Sequence, residues 1–189
     1  MAAHLAGVVA DHPRRFAGLG TLPMQAPELA VGELERCVEE LGLAGVQIGS
    51  HVNAWNLDRP EIFPVFARAA ELGAAVFVHP WDMLAPDRMV KYWLRWLVGM
   101  PTETTIAICS MIFGGVLERL PGLRVAFVGR MSAEKGPFAF ARLARALPMQ
   151  DFVAFGDGPL LEAARAEAGG WVAFRGGVPD MADHWPGIG

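Results

Sequence analysis

Short apolar runs alternate with helix-periodic segments along most of this chain, and that alternation limits the folds open to it. The runs "AGVQIG", "AAVFVHP", "LRVAFVG", "DFVAFGDGP" and "GWVAFRG" each fit a short buried strand. Between them lie helical patterns. In "APELAVGELERCVEELG", Leu29, Leu34, Cys37, Val38 and Leu41 recur at helical spacing and Gly42 supplies the stop. "RPEIFPVFARAAELG" predicts a helix from near Pro60 to Gly73. "PFAFARLARALP" and "LLEAARAEAGG" predict two more. The stretch from Arg88 to Gly122 reads as mostly helical, with a break around Gly99 to Thr102. A first strand is expected from Phe16 to Leu22, stopped by Pro23. Several strands are apolar on both faces, so the expected class is α/β with a parallel sheet and helical crossovers.

In such sheets ligands gather outside the carboxyl ends of the strands. The positions to watch are therefore His51 and Asn53, His79 to Asp82, Arg130 to Lys135, and Asp157. A neutral imidazole at the end of a strand, as at His79, can bind a divalent metal. It also serves as an ordinary hydrogen-bonded strand end, and a metal site needs roughly three or four donors. Trp81, Trp93 and Trp96 can wall an aromatic pocket or pack in the core. Asp82 and Asp87 can orient His79 or cap the helix that follows.

At 189 residues the chain is short for a closed eight-stranded α/β barrel, which takes ~250 residues. Hydrophobic residues make up 53% and charged residues 19%, so more apolar surface is expected than a small domain can hide. A formal charge of -4 gives no reason to expect nucleic acid or an anionic membrane as partner. Cys37 and Cys109 are the two cysteines, and their apolar settings predict free thiols. The N-terminus shows no signal-peptide pattern and no run approaches ~18 consecutive apolar residues. A cytoplasmic protein is expected.

From about Leu5 to Phe127 the words "GTLPMQAPELA", "FVHPWDM" and "GMPTETTIAICSMI" resemble the aminocarboxymuconate-semialdehyde decarboxylases of the amidohydrolase superfamily. The resemblance implies a (β/α)8 barrel, one zinc ion, and non-oxidative decarboxylation of a small molecule in tryptophan catabolism. It assigns His79 as a metal ligand and Trp81, Met83 and Trp96 as pocket residues. It also marks departures. The His-x-His pair and the substrate-binding Arg of the family's opening region have no counterpart here, nor has its late Asp ligand. Where the family has "AHGGG" with its catalytic His, this chain reads "VGRMS". No catalytic residue is assigned. Zinc is expected to be weak or absent and turnover by this chain alone to be vestigial.

From about Val125 to Trp185, "GRMSAEKG" and "GDGP" resemble the donor-binding domain of retaining glycosyltransferases with two Rossmann-like domains. That resemblance implies a nucleotide-sugar ligand, with Arg130 and Lys135 holding the diphosphate. Two cations beside a helix N-terminus would offset its charge. Together the two resemblances predict a chimera: an incomplete (β/α)8 amidohydrolase-type barrel fragment over residues 1–127, running into a partial Rossmann-like parallel-sheet unit over 128–189. A chimera without chemistry of its own, associating with itself through open sheet edges, is the third expectation.

Overall fold

A computed structural model describes residues 2–177. The chain divides into two compact units, Met1–Arg119 and Leu120–Gly189. The division falls ahead of the strand in which the sequence places its join.

The first unit opens with helix α1 (Ala2–Asp11), an element not expected from the sequence. Strand β1 (Leu19–Thr21) is shorter than the predicted run, because Phe16 lies half exposed and pairing begins only at Leu19. Helix α2 (Pro27–Glu35) continues into a π-turn over Arg36–Glu40. It delivers β2 (Gly45–Gly49), followed by α3 (Phe63–Leu72) and β3 (Ala75–His79). The three strands are parallel in the order β1-β2-β3. Their register sets Thr21 beside Gln47 and Gly49 beside His79, so β2 and β3 finish at one level and β1 stops two residues short of it.

The core of this unit follows from side-chain spacing. Val46 and Ile48 alternate inward from β2 while Gln47 faces out. Val65, Phe66 and Ala69 form the buried stripe of α3, which packs against α2 with its buried Ala30 and Leu34. Burying a side chain such as Phe66 contributes about 1.5–3 kcal/mol. Gly45 adopts φ 154, and a Cβ there would run into the backbone of Ala75 on the neighbouring strand. Only glycine permits that approach.

The expected break around Gly99 to Thr102 does not occur. Pro101 has no N–H to give to Leu97, and the chain absorbs the missing bond in a π-turn over Arg95–Gly99. Helix α4 (Met100–Phe113) then runs on without interruption, ending at Gly114 before the short α5 (Val116–Arg119). The true irregularity lies upstream. Tyr92 and Trp93 are left-handed, with φ 61 and 59, so residues between the 3-10 turn Pro86–Met89 and Arg95 are not helical. Asp87 sits inside that 3-10 turn, which has no side-chain cap.

The second unit is a parallel βαβαβ: β4 (Arg124–Val128), α6 (Pro137–Ala146), β5 (Asp151–Phe155), α7 (Leu161–Ala168) and β6 (Ala173–Gly176), with β5 central. Four consecutive β5 residues, Phe152 to Phe155, are buried, as expected of a strand covered on both faces. Phe140 of α6 meets Phe127 at 5.5 Å and Phe152 edge-on at 5.4 Å. Gly156 (φ 136) is needed because a Cβ would strike the Gly129 carbonyl, where the loops after β4 and β5 touch. Cys37 and Cys109 are free thiols, as expected.

Candidate functional site

The carboxyl ends of β1, β2 and β3 border a cavity of about 430 Å³. Its wall includes Thr21 and Gln25 from β1 and its loop, Gln47, His51 and Asn53 from β2 and its loop, and His79 and Trp81 from β3 and its loop. The size suits a small molecule.

His79 Nδ1 lies 2.9 Å from the Pro80 carbonyl. A carbonyl only accepts, so Nδ1 carries a hydrogen in this contact. Metal-ligating histidines are fixed in the same way, by a backbone acceptor at the nitrogen away from the metal.

His51 is held differently. Its Nδ1 lies 2.9 Å from the Asn53 carbonyl, and its Nε2 lies 3.1 Å from the Trp81 carbonyl and 3.2 Å from that of Asp82. Acceptors at both nitrogens favour the doubly protonated ring. Burial opposes that charge. The carbonyls of Asp82 and Asn53, the Glu103 carboxylate and the Trp81 carbonyl outweigh it and raise the pKa above the ordinary histidine value. Glu103, 4% exposed on α4, faces the ring at 3.9 Å. Its Oε1 accepts the Leu84 amide hydrogen at 2.7 Å and its Oε2 the Ser50 hydroxyl at 3.2 Å.

Of the residues singled out in the sequence, His51, Asn53, His79 and Trp81 share this cavity. Met83 lies against Gly99, where a Cβ would come within 2.7 Å of its Cγ. Trp96 leans on Trp93 at 6.4 Å, and both are largely exposed. Neither Met83 nor Trp96 belongs to the cavity wall. Thr21, Gln25, Gln47, Ser50 and Glu103 escaped the sequence reading. Two carried a signal: Gln47 interrupts an apolar strand, and Glu103 is the sole charged residue of α4.

Among the described residues no group of three or more His, Cys, Asp and Glu side chains converges as a metal site. Both ring nitrogens of His51 are engaged by backbone carbonyls, and His79 by itself does not fit a tightly held ion.

Arg130 and Lys135 are exposed in the loop between β4 and α6. The loop is tied to the next one by Met131 N–H to the Asp157 carbonyl at 2.9 Å and Leu160 N–H to the Met131 carbonyl at 2.9 Å. Glu134 lies between the two cations. Its carboxyl is held below the usual range by the Ser132 hydroxyl at 2.6 Å, by its own backbone, and by the charges of Arg130 and Lys135. The pair thus already faces an anion. The glycosyltransferase resemblance beyond residue 177 lies outside the described residues.

The sequence profile of the amidohydrolase family matches residues 1–153. The chain belongs to the amidohydrolase family. The match runs through β4, the Arg130–Lys135 loop and α6, well past the join expected near residue 127, so the amidohydrolase segment is longer than the sequence reading allowed. Over 124 residues the chain is 62% identical to 2-amino-3-carboxymuconate-6-semialdehyde decarboxylase of Dictyostelium discoideum, covering 66% of this chain and 34% of that one. The solved 5-carboxyvanillate decarboxylase of Sphingomonas paucimobilis superposes with a TM-score of 0.69 at 26% identity, over 99% of this chain and 63% of that one. A dihydroxybenzoic acid decarboxylase of Polaromonas sp. JS666, solved with bound manganese and 2-nitroresorcinol, gives 0.67 at 23% over 99% and 66%, a likeness of fold. This amidohydrolase chain spans about a third of the length of its Dictyostelium relative.

Proposed function

We propose that the cavity at the ends of β1–β3 is the substrate side of a small-molecule decarboxylase, acting without oxidation on a carboxylate conjugated to a muconate or aromatic system. The single observation that carries this reading is His79, with Nδ1 pinned by the Pro80 carbonyl, in one cavity with Trp81. Support comes from the 62% identity to a carboxymuconate-semialdehyde decarboxylase.

The residues fit the task of holding such a substrate. The Trp81 indole offers a face to a planar conjugated system. His51, whose protonated form is favoured by its carbonyl neighbours and Glu103, favours a carboxylate. Thr21, Gln25, Gln47 and Asn53 supply polar groups that fix orientation. A divalent metal of the kind seen in the manganese-bound relative would supply Lewis-acid chemistry. In this chain its described protein donor is His79, so we propose weak retention and little turnover by the 189-residue chain alone.

The test is metal titration and carbon dioxide release. Zinc or manganese should bind the purified chain weakly, and His79→Ala should abolish that binding. Release of carbon dioxide from 2-amino-3-carboxymuconate-6-semialdehyde should stay near background. Tight stoichiometric metal unaffected by His79→Ala would sink the assignment of His79, and robust turnover would sink the proposed inactivity.

A second reading attaches to Arg130 and Lys135 as a diphosphate clamp for a nucleotide-sugar, favoured by their exposure at the carboxyl end of β4 beside the Gly156–Pro159 turn. Glu134 works against it. A calorimetric titration with a UDP-sugar decides: affinity that Arg130→Ala leaves unchanged removes this role.

A further inference from the structure

The residues around Glu103 join three segments distant in sequence. Ser50 and His51 follow β2, Trp81 to Leu84 follow β3, and Glu103 lies in the first turn of α4. Glu103 is the hub. One carboxylate oxygen takes the Leu84 N–H at 2.7 Å, and the other takes the Ser50 hydroxyl and stands 3.9 Å from His51. His51 in turn donates to the carbonyls of Trp81 and Asp82. The loop after β3 is thus gripped twice, through Leu84 by Glu103 directly and through Trp81 and Asp82 by way of His51.

This loop needs gripping. Asp82 and Ala85 both hold left-handed backbone at φ 53 and 51, which costs a non-glycine residue of order 1 kcal/mol or more. Trp81 is 73% exposed and has little packing to hold it. A buried carboxylate, here the one charge of its helix, is itself costly unless every oxygen is satisfied. Its hydrogen bonds go to the two loops that carry cavity residues.

We infer that Glu103 is a positioning residue: it fixes the loop bearing Trp81 against the loop bearing His51 and so sets the geometry of the cavity wall. The inference about substrate rests on the cavity reading above, whereas the tether itself does not.

Amide hydrogen exchange on the full chain tests the tether without any ligand. In Glu103→Ala the Leu84 amide should exchange at least tenfold faster, while Val46 and Ile48 of β2 keep their rates. Glu103→Gln, which retains an oxygen acceptor, should recover most of the Leu84 protection, a rescue that a mere filler of volume would not require. Unchanged Leu84 exchange in Glu103→Ala overturns the proposal. If Glu103→Ala loses β2 protection as well, Ser50→Ala decides: faster Leu84 exchange with intact β2 supports the hub, and unchanged exchange overturns it. Titration with 2,6-dihydroxybenzoate then reads the consequence, with affinity several-fold weaker in Glu103→Ala and restored in Glu103→Gln. A probe that binds both variants like the parent overturns the link to the cavity wall. A probe that fails to bind the parent chain counts against the cavity reading and leaves the exchange result to judge the tether.

Discussion

His51 shows how one side chain converts geometry into pH dependence. Its folded pKa lies above the unfolded one, because the cost of burial is outweighed by three carbonyl acceptors and Glu103. The stabilisation is therefore complete below the ordinary value of about 6.5 and is lost as pH rises through the raised folded value. Urea midpoints should fall across that window in the parent chain, and the fall should flatten in His51→Gln. Equal slopes in the two proteins would remove the cationic ring from the account. Gly45 gives a prediction independent of charge: Gly45→Ala should cost ~2 kcal/mol or more, since φ 154 is strained for alanine and the new methyl meets the Ala75 backbone. A midpoint within error of the parent would contradict the register of β2 on β3. At this scale the sequence exposed His79 and Trp81, because strand-end residues can be found by locating the strand. Glu103 showed only as the lone charge of its helix and Ser50 not at all, since their bond spans 53 positions of sequence and arises from tertiary packing.

Elements were legible where a single force decided them. β2, β3, β4, β5 and β6 follow from apolar runs, and α2, α3, α6 and α7 from helical spacing with a glycine or proline at the end. Competing forces defeated the reading elsewhere. Pro101 suggested a break, yet the π-turn before it re-closed the helix through the Met100 N–H to Arg95 carbonyl bond. α1 buries none of its residues, so no core face sets it apart. In the second unit the decisive element is β5, whose Phe152 packs on Phe140 of α6 in one cluster with Ala141, Ala144 and Val172. Phe152→Ala should cost about 3–5 kcal/mol. The check is a denaturation curve reporting on this unit, for example through amides of β5 and α7. A loss below 1 kcal/mol, on the order expected of a surface site, would mean that α6 does not seat on the sheet as described.

At the scale of the molecule, apolar content and charge act together. Hydrophobic residues make up 53% of the chain, and Tyr92, Trp93, Trp96, Leu97 and Phe113 are each more than half exposed. The helical run Arg95–Phe113 is long and apolar enough to cross a bilayer by length and composition, with 17% of its most apolar window buried. Glu103 ties that run into the first unit through Leu84 and Ser50, so its exposed face is surface on a folded body. Contiguous apolar surface drives association in water, and net charge opposes it. The opposition vanishes near the isoelectric point of about 5.7 and grows as pH rises. Sedimentation velocity should therefore show concentration-dependent self-association that is strongest near that pH and weaker at higher pH. The triple substitution Trp93→Ser, Trp96→Ser, Leu97→Ser should shift the boundary toward the monomer at every pH while leaving β2 amide protection intact. Association that ignores the triple substitution would place the contact on another surface, with the unpaired edges of the parallel sheets next in line.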